Sequence, residues 1–136
     1  MRFQGKAHVR WDDLDAFGHV NNATYLTYAQ EARSDFFWFS RVREGLTPIL
    51  SDMVVGRTEV DYLIPIFEGS FDLEVIIWVT KIGTASFALE YEMLSKNGLH
   101  ARVKTVQVAV TDAKDKSRPL TQAERVFLSQ YLEEPV

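Results

Sequence analysis

The chain has 136 residues, of which 46% are hydrophobic and 25% charged, and its net charge is −4. This balance is typical of an ordinary globular protein and predicts a single domain over residues 1–136. The acidic charge gives no electrostatic case for nucleic-acid binding. Cysteine is absent, which excludes disulfides, thiolate metal ligands and a cysteine nucleophile.

The sequence also lacks the apolar segments that export and membrane insertion require. The first ten residues, MRFQGKAHVR, carry no apolar core, and no run of about 18 apolar residues occurs. We therefore expect no membrane span. Together with the lack of cysteine, this pattern predicts a cytoplasmic protein.

The first predicted element is a strand over residues 3–11, in which apolar and polar residues alternate from Phe3 to Trp11. A long helix is predicted next, from about Asn22 to Phe39, and it should end before Gly45. Asn22 or Asn21 can cap it, because a short polar side chain accepts from free backbone N–H groups. The apolar stripe of this helix consists of Tyr25, Ala29, Ala32, Phe36 and Phe39.

The rest of the chain is predicted to be mainly strands, because it is rich in Val, Ile, Thr and aromatic residues. Short reversals at Gly69, at Gly83 and at the Asn97-Gly98 pair predict antiparallel neighbours. Both central residues of an Asn-Gly hairpin must tolerate positive φ. The predicted strands are residues 53–64, 70–82, 85–95 and 99–111.

A short C-terminal helix is predicted from a capping box formed by Thr121 and Glu124. The long first helix is strongly apolar and therefore needs a cover. We predict an α+β fold, with a five-stranded antiparallel sheet wrapped around one long central helix and a short C-terminal helix.

The loop before the long helix contains the residues most suited to chemistry. It begins the stretch DDLDAFGHVNNATYL, which places three acids within four residues just ahead of a helix N-terminus. A carboxylate such as Asp15 can attack or activate water at a carbonyl carbon, while free N–H groups at a helix start can stabilise the oxyanion. The residues alone equally allow Asp15 to be a solvated loop acid in an Asx turn.

This loop, followed by YLTYAQEAR, VDYLIPIFEG and a series of strands, resembles the hot-dog-fold acyl-CoA thioesterases of the 4-hydroxybenzoyl-CoA thioesterase family. The resemblance runs from about Ala7 to Leu120, and DLDAFGHVNNATYL is its most specific part. It implies hydrolysis of an acyl-CoA thioester, with Asp15 as nucleophile or general base and an oxyanion-binding amide near Asn22. CoA belongs to the substrate, so no separate cofactor is expected.

Two other functions remain open beside hydrolysis. A non-catalytic acyl-CoA-binding or scaffold protein could hold the ligand in the same pocket. A hot-dog dehydratase would need a His–acid pair, and Asp15 and His19 are too close in sequence to argue for one.

The remaining loop residues are assigned supporting roles. We expect Gly18 to allow a tight turn, His19 to fix the loop through hydrogen bonds and Asn21 to act as a cap. Tyr25 is expected in the core rather than in a substrate wall. Asp13 should share the face of the catalytic acid if the backbone stays extended, but no third metal ligand is apparent and no metal is expected.

The phosphates of CoA require cations. The candidates that follow or lie near strand ends are Arg57, Lys114, Lys116 and Arg118. In the last strand, one face carries Arg102 and Lys104 and then Val106 and Val108. This change from charged to apolar residues is expected of a strand that runs from a solvent-exposed pocket entrance into the core, although any edge strand could also give it.

The resemblance also implies assembly, since members of this family form dimers, often paired into tetramers, with active sites between subunits. Ile76 and Trp78 lie on one face of their predicted strand, and the residues on its other face are apolar as well. Apolar residues on both faces predict a sheet that is buried on both sides. We therefore expect a homodimer or homotetramer.

Overall fold

The computed structural model describes residues 1–133. A 3₁₀ turn (Trp11–Asp13) follows the first strand, and the long helix α1 is built from three consecutive segments (Thr24–Ser34, Asp35–Phe39 and Ser40–Arg43). A second helix, α2, covers Gln122–Ser129. The strands are β1 (Phe3–Val9), β2 (Met53–Tyr62), β3 (Phe71–Ile82), β4 (Ser86–Ser95) and β5 (Gly98–Ala109).

The five strands form one antiparallel sheet in the order β1-β3-β4-β5-β2. The sheet wraps around α1, which confirms the predicted fold class. The core lies between them and contains alternate residues of β3, β4 and β5 together with one stripe of α1. Its largest fully buried side chains include Tyr28, Phe36, Leu73, Ile77, Leu89, Tyr91 and Met93.

The reversals at Gly83 and Gly98 join antiparallel neighbours as predicted, but the one at Gly69 does not. β2 pairs with β5, so residues 63–70 carry the chain across the molecule rather than back along β2. In the β4–β5 hairpin only Gly98 has positive φ (114°), so the turn does not use two residues with positive φ. The register shifts further along the hairpin, between Met93 and Leu94, where His100 is the extra residue of a bulge.

The long helix begins later than predicted, at Thr24, and ends ahead of Gly45, whose φ is 78°. Its segment Asp35–Phe39 is a π-helical turn. This wider turn rotates the residues that follow it, so Phe39 leaves the apolar stripe and is 55% exposed, while Phe37 is buried. The prediction that Phe39 belongs to the stripe was wrong for this reason.

The first strand is shorter than predicted because residues Trp11–Asp13 turn away as a 3₁₀ helix. Trp11 is therefore exposed rather than packed on a strand face. In β5 the core face carries Ala101, Val103 and Thr105, and Val106 and Val108 lie half-exposed on the outer face. The expectation that the Arg102–Val108 face runs into the core was wrong, and β5 is not an edge strand.

The two edges of the sheet differ in their cover. β1 lies beneath α1 and has three buried residues, whereas nearly every residue of β2 is exposed, including Val54, Val55 and Tyr62. Trp78, which we expected to face a partner, is only 8% exposed because the Arg2 guanidinium stacks 3.8 Å from its ring centre. Of the two sheet edges, β2 is therefore the one with uncovered apolar surface. In the part of the chain that the structure describes, no helix is both long and apolar enough to cross a membrane.

Candidate active site

The loop between β1 and α1 closes as a small hairpin. Leu14 and Val20 form an antiparallel bridge, and the Asp15 N–H donates to the His19 carbonyl oxygen at 2.9 Å. Gly18, at φ 82°, donates its N–H to the Asp15 carbonyl oxygen, which is the tight turn expected of this glycine. This hairpin places the side chains of Asp15 and His19 next to each other.

The carboxylate of Asp15 retains one oxygen without a backbone partner. Its Oδ1 accepts from the Phe17 N–H at 2.9 Å, which is an Asx turn, while Oδ2 lies 3.7 Å from His19 Nδ1. The Asp15 side chain is 22% exposed and that of His19 is 38% exposed. His19 Nδ1 is also 3.3 Å from the Val20 carbonyl oxygen, so a proton on Nδ1 lies between two acceptors.

Asp13 is placed differently from the prediction. Its Oδ2 accepts from the buried Tyr28 hydroxyl at 2.6 Å and from the Arg10 N–H at 2.9 Å. Burial, reinforced by the Asp13 carboxylate, raises the pKa of Tyr28. Because the 3₁₀ turn ends the extended backbone, Asp13 does not share a face with Asp15, and it fastens the loop to α1 instead.

The start of α1 presents backbone N–H groups beside this hairpin. The Asn21 side chain accepts from the Ala23 N–H at 2.9 Å, and the Asn21 carbonyl accepts from the Thr24 N–H. Asn21 therefore makes an Asx turn just ahead of the helix, while the N-cap position is Ala23 and has no side-chain cap, contrary to the prediction for Asn21 or Asn22. Within residues 1–133 the Asn22 N–H has no hydrogen-bond acceptor, while the Asn22 carbonyl accepts from the Tyr62 hydroxyl at 2.8 Å.

A cavity of about 260 Å³ opens at this point between the helix start and the end of β2. Tyr25 is 3% exposed and packs edge-on against Tyr62, so it belongs both to the core and to the cavity wall. Asp15 does not itself line the cavity, but its Oδ2 lies 3.7 Å from Nδ1 of His19, which does. The lining residues are His19, Val20, Asn22, Tyr25, Tyr62, Leu63, Ile64 and Pro65.

The predicted phosphate-binding residues do not surround this cavity within one chain. Lys114 and Lys116 follow β5, whose end pairs with Met53 at the start of β2, while the cavity lies at Tyr62. Those two ends are nine residue steps apart along β2, which is a distance of roughly 30 Å. Arg57 is exposed on β2 and pairs with Glu59.

Arg118 is held inside the chain. Two of its nitrogens donate to the Glu124 carboxylate at 2.8 and 3.0 Å, and its Nε donates to the Val110 carbonyl oxygen. These hydrogen bonds fasten α2 to the end of β5. We therefore leave Arg118 out of the phosphate-binding group.

Sequence reasoning overlooked two features of the site region. Tyr62 and Leu63 line the cavity, although VDYLIPI was recognised only as part of the family pattern. Arg33 lies on the buried side of α1, four residues after Ala29. The sequence alone shows that a charged residue occupies this side of the helix. Among residues 1–133, no three His, Asp or Glu side chains lie close enough together to hold a metal ion.

The antiparallel sheet wrapped around a helix, with a polar hairpin at the helix start, defines a hot-dog-fold protein. A family model agrees: the chain belongs to the thioesterase-like superfamily, whose model matches residues 9–126.

Solved structures extend this agreement over the whole fold. A thioesterase of Thermus thermophilus, solved with coenzyme A and Zn, is 31% identical and superposes with a TM-score of 0.76 over 94% of this chain and 92% of its own. A protein of Bacillus stearothermophilus described as a predicted thioesterase is 24% identical, with a TM-score of 0.83 over 100% of both chains, and supports the fold.

A curated relative matches over a shorter region. The uncharacterized protein YsmA of Bacillus subtilis strain 168 is 29% identical over 93 residues, which span 65% of this chain and 58% of YsmA.

Proposed function

We propose that the protein hydrolyses an acyl-CoA thioester, with Asp15 as the acting carboxylate. The observation that carries the proposal is that His19 and Asn22 line one cavity while Asp15 Oδ2, which has no backbone partner, lies 3.7 Å from His19 Nδ1. Membership of the thioesterase-like superfamily supports the same reaction in general.

The reaction adds water to the thioester carbonyl carbon and releases CoA as a thiol. Asp15 either takes a proton from the attacking water or attacks the carbonyl carbon itself, forming an anhydride that water then cleaves. The Asn22 N–H, which has no other acceptor in the described chain, is the donor proposed for the oxyanion. The positive end of α1 favours the same negative charge.

The active assembly is proposed to be a homodimer that pairs β2 edges, alone or within a tetramer. β2 is an uncovered edge strand, and a twofold antiparallel pairing buries its exposed Val54 and Val55. Such pairing brings the end of one β2 beside the start of the other. Lys114 and Lys116 of the second copy then approach the first copy's cavity, where they are proposed to bind CoA phosphates with Arg57.

Light scattering at micromolar concentration should give at least twice the 15.6 kDa of one chain, and a stable monomer would contradict the pairing.

A non-catalytic acyl-CoA-binding protein is the second candidate. It is favoured by the Asx turn, in which Asp15 Oδ1 already accepts from Phe17 and the carboxylate stays outside the cavity wall. The two candidates predict different behaviour toward the same ligands. The cytoplasmic location stays a prediction.

A panel of acyl-CoA esters with detection of the free thiol tests the proposal most broadly. Hydrolysis should release one thiol for each ester cleaved, and non-hydrolysable thioether analogues should bind competitively. Esters that bind in calorimetry without thiol release would instead establish the binding protein. If the panel neither binds nor is cleaved, both candidates fail.

A further inference from the structure

A second, larger cavity lies at the other end of β2, between the C-terminal half of α1 and residues 49–55. It encloses about 510 Å³ and has apolar walls that include Phe37, Leu50 and Met53. One charged side chain, Arg33, lines it. No role in the hydrolysis described above uses this cavity or its cation.

Arg33 is half-buried and lacks an anionic partner. Its Nη1 donates to the Tyr91 hydroxyl at 2.9 Å, and no carboxylate of residues 1–133 lies within ion-pairing distance of it. Tyr91 is 1% exposed, and burial raises the pKa of its hydroxyl, so this partner stays neutral. The charge of Arg33 is therefore not balanced inside the described chain.

The hydrogen bonds around Arg33 leave donors in excess. Arg33 donates to the Tyr91 hydroxyl, which shares a hydrogen bond with the Thr105 hydroxyl, 2.8 Å away, and the Gln107 amide donates to Thr105 Oγ1 at 3.0 Å. A guanidinium has five N–H donors and no acceptor. Its remaining N–H groups meet no protein acceptor in residues 1–133, and a partly desolvated cation is stabilised by an anion that supplies acceptors.

We propose that this cavity binds a carboxylate at the far end of an acyl chain, so that the preferred substrates are CoA monothioesters of dicarboxylic acids. The inference rests on the proposed function. A carboxylate matches the planar donor fork of Arg33, and the apolar walls suit the methylene chain between the two ends of the diacid. The other polar residues that line the cavity are Gln30, Ser34, Ser51 and Gln107, and their side chains can add hydrogen bonds to the bound carboxylate.

The proposed dimer, in which the β2 edges of two subunits pair, explains how one ligand reaches both cavities. The thioester site lies at Tyr62, at the end of β2, and the Arg33 cavity includes Met53 and Val55 at its start. Antiparallel pairing of two β2 strands sets the end of one beside the start of the other. The acyl chain then runs from the hairpin of one subunit to Arg33 of the second.

The first test uses the wild-type protein and varies only the ligand. CoA monothioesters of straight-chain diacids are compared with the monoacid thioesters of equal chain length. A charge-assisted bidentate contact should raise kcat/KM for the best diacid ester by roughly ten- to a hundredfold over its match. Equal kcat/KM values at every chain length would overturn the proposal.

The second test varies the protein. Arg33→Met keeps the side-chain volume and should abolish the preference, whereas Arg33→Lys keeps the charge and should retain part of it. Arg43→Met removes the same charge from an exposed site of the same helix, where Arg43 pairs with Asp35, and should leave the preference intact. A preference that survives Arg33→Met overturns the proposal.

Binding of free diacids separates this proposal from the hydrolysis itself. Calorimetry with a free diacid, its monoamide and coenzyme A needs no turnover, so an Arg33-dependent preference for the diacid supports the cavity even if no ester is cleaved. Loss of coenzyme A binding in Arg33→Met would assign Arg33 to the CoA phosphates. Dissociation of the oligomer in Arg33→Met, with the diacid preference unchanged, would assign it to a carboxylate of the second subunit. Either result would overturn the proposal.

Discussion

Asp13 and Asp15 lie two residues apart in one loop, yet the Asp13 side chain is fastened to α1 whereas the hydrogen bonds of Asp15 all stay within the loop. Asp13 accepts from the buried Tyr28 hydroxyl and from the Arg10 N–H. Asp15 accepts one local N–H and keeps its second oxygen beside His19. Aspartate therefore anchors the loop at position 13 and is available for chemistry at position 15.

Both aspartates are partly exposed, so the difference follows from their partners: Asp13 accepts from the fully buried Tyr28 hydroxyl as well as from a backbone N–H. A carboxylate that satisfies a buried hydroxyl stabilises the fold, and moving it would leave that hydroxyl unpaired. A half-exposed carboxylate with a free oxygen loses little when it turns toward a substrate. Variants that exchange acid for amide at single positions can therefore separate stability from turnover.

The largest expected effect is on the turnover of Asp15→Asn. An amide cannot act as nucleophile or base, so kcat should fall by about 10²- to 10⁴-fold while KM changes little. The exchange is nearly isosteric, and the melting temperature should shift by no more than a few degrees. Steady-state kinetics with a cleaved acyl-CoA and a thermal melt measure both quantities. A rise in KM at constant kcat would instead place Asp15 in substrate binding.

The carboxylate of Glu124 extends the comparison to the C-terminal helix. Burial opposes its ionisation, but the hydrogen bonds from Arg118 and Thr121 outweigh burial and hold the pKa of Glu124 below its ordinary value. Its folded-state pKa is lowered, so its contribution is present above pH 4.5, the ordinary value, and is lost as the pH falls through the folded-state pKa. Glu124→Gln should lower the free energy of unfolding by roughly 2–3 kcal/mol at neutral pH.

Urea unfolding of Glu124→Gln across pH 3–7 measures that loss, and the gap to wild type should narrow toward the acid end. The matched control is Glu68→Gln, because Glu68 is an exposed acid 3.9 Å from Lys96 and should change stability by less than about 0.5 kcal/mol. A gap that widens toward acid would contradict the sign of the pKa shift.

Asp13→Asn should behave in the opposite way to Asp15→Asn. It removes the charge from two hydrogen bonds and should lower the free energy of unfolding by about 1–2 kcal/mol, while folded protein keeps its turnover. Tyr28→Phe removes the other partner of the stronger bond, and in a double-mutant cycle the two changes should not be additive. Additive losses would show that the Asp13–Tyr28 contact contributes nothing of its own.

The smallest effect expected is that of Asn21→Ala. Its side chain accepts from the Ala23 N–H in the turn just ahead of α1, and loss of that hydrogen bond should lower stability by about 1 kcal/mol. If this turn also orients the Asn22 N–H, kcat should fall a few-fold in the same variant, whereas Asn22→Ala, which leaves that N–H in place, should retain kcat. An unchanged kcat in Asn21→Ala would separate the turn from oxyanion binding.

Much of the fold was predictable because alternation and helical spacing are local signals. The Thr121–Glu124 capping box is an example, since both of its hydrogen bonds form as the sequence indicates. The strand order was not predictable in the same way, because residues 63–70 cross the sheet although Gly69 suggested a short reversal. The π-helical turn that exposes Phe39 likewise depends on packing that no local pattern encodes.

At the candidate site the sequence identified the loop, but not which aspartate anchors it and which is available to react. The roles of Asp13 and Asp15 depend on which carboxylate meets Tyr28, fifteen positions along the chain and buried beneath the sheet. The position of Lys114 and Lys116, far from the cavity of their own chain, depends on the register of β2 with β5. Both arrangements depend on contacts between residues that are far apart in the sequence, and residue spacing alone does not predict such contacts.

The central claim is that one positioned carboxylate, rather than the charge of the loop, acts on the thioester. The most direct test compares the turnover of Asp15→Asn with that of Asp12→Asn under identical conditions. Asp12 is exposed, makes no hydrogen bond within residues 1–133 and carries the same charge in the same loop. We predict that Asp12→Asn retains turnover within a few-fold of wild type while Asp15→Asn loses at least about a hundredfold. Equal losses in the two variants, or near-wild-type turnover in Asp15→Asn, would contradict the account.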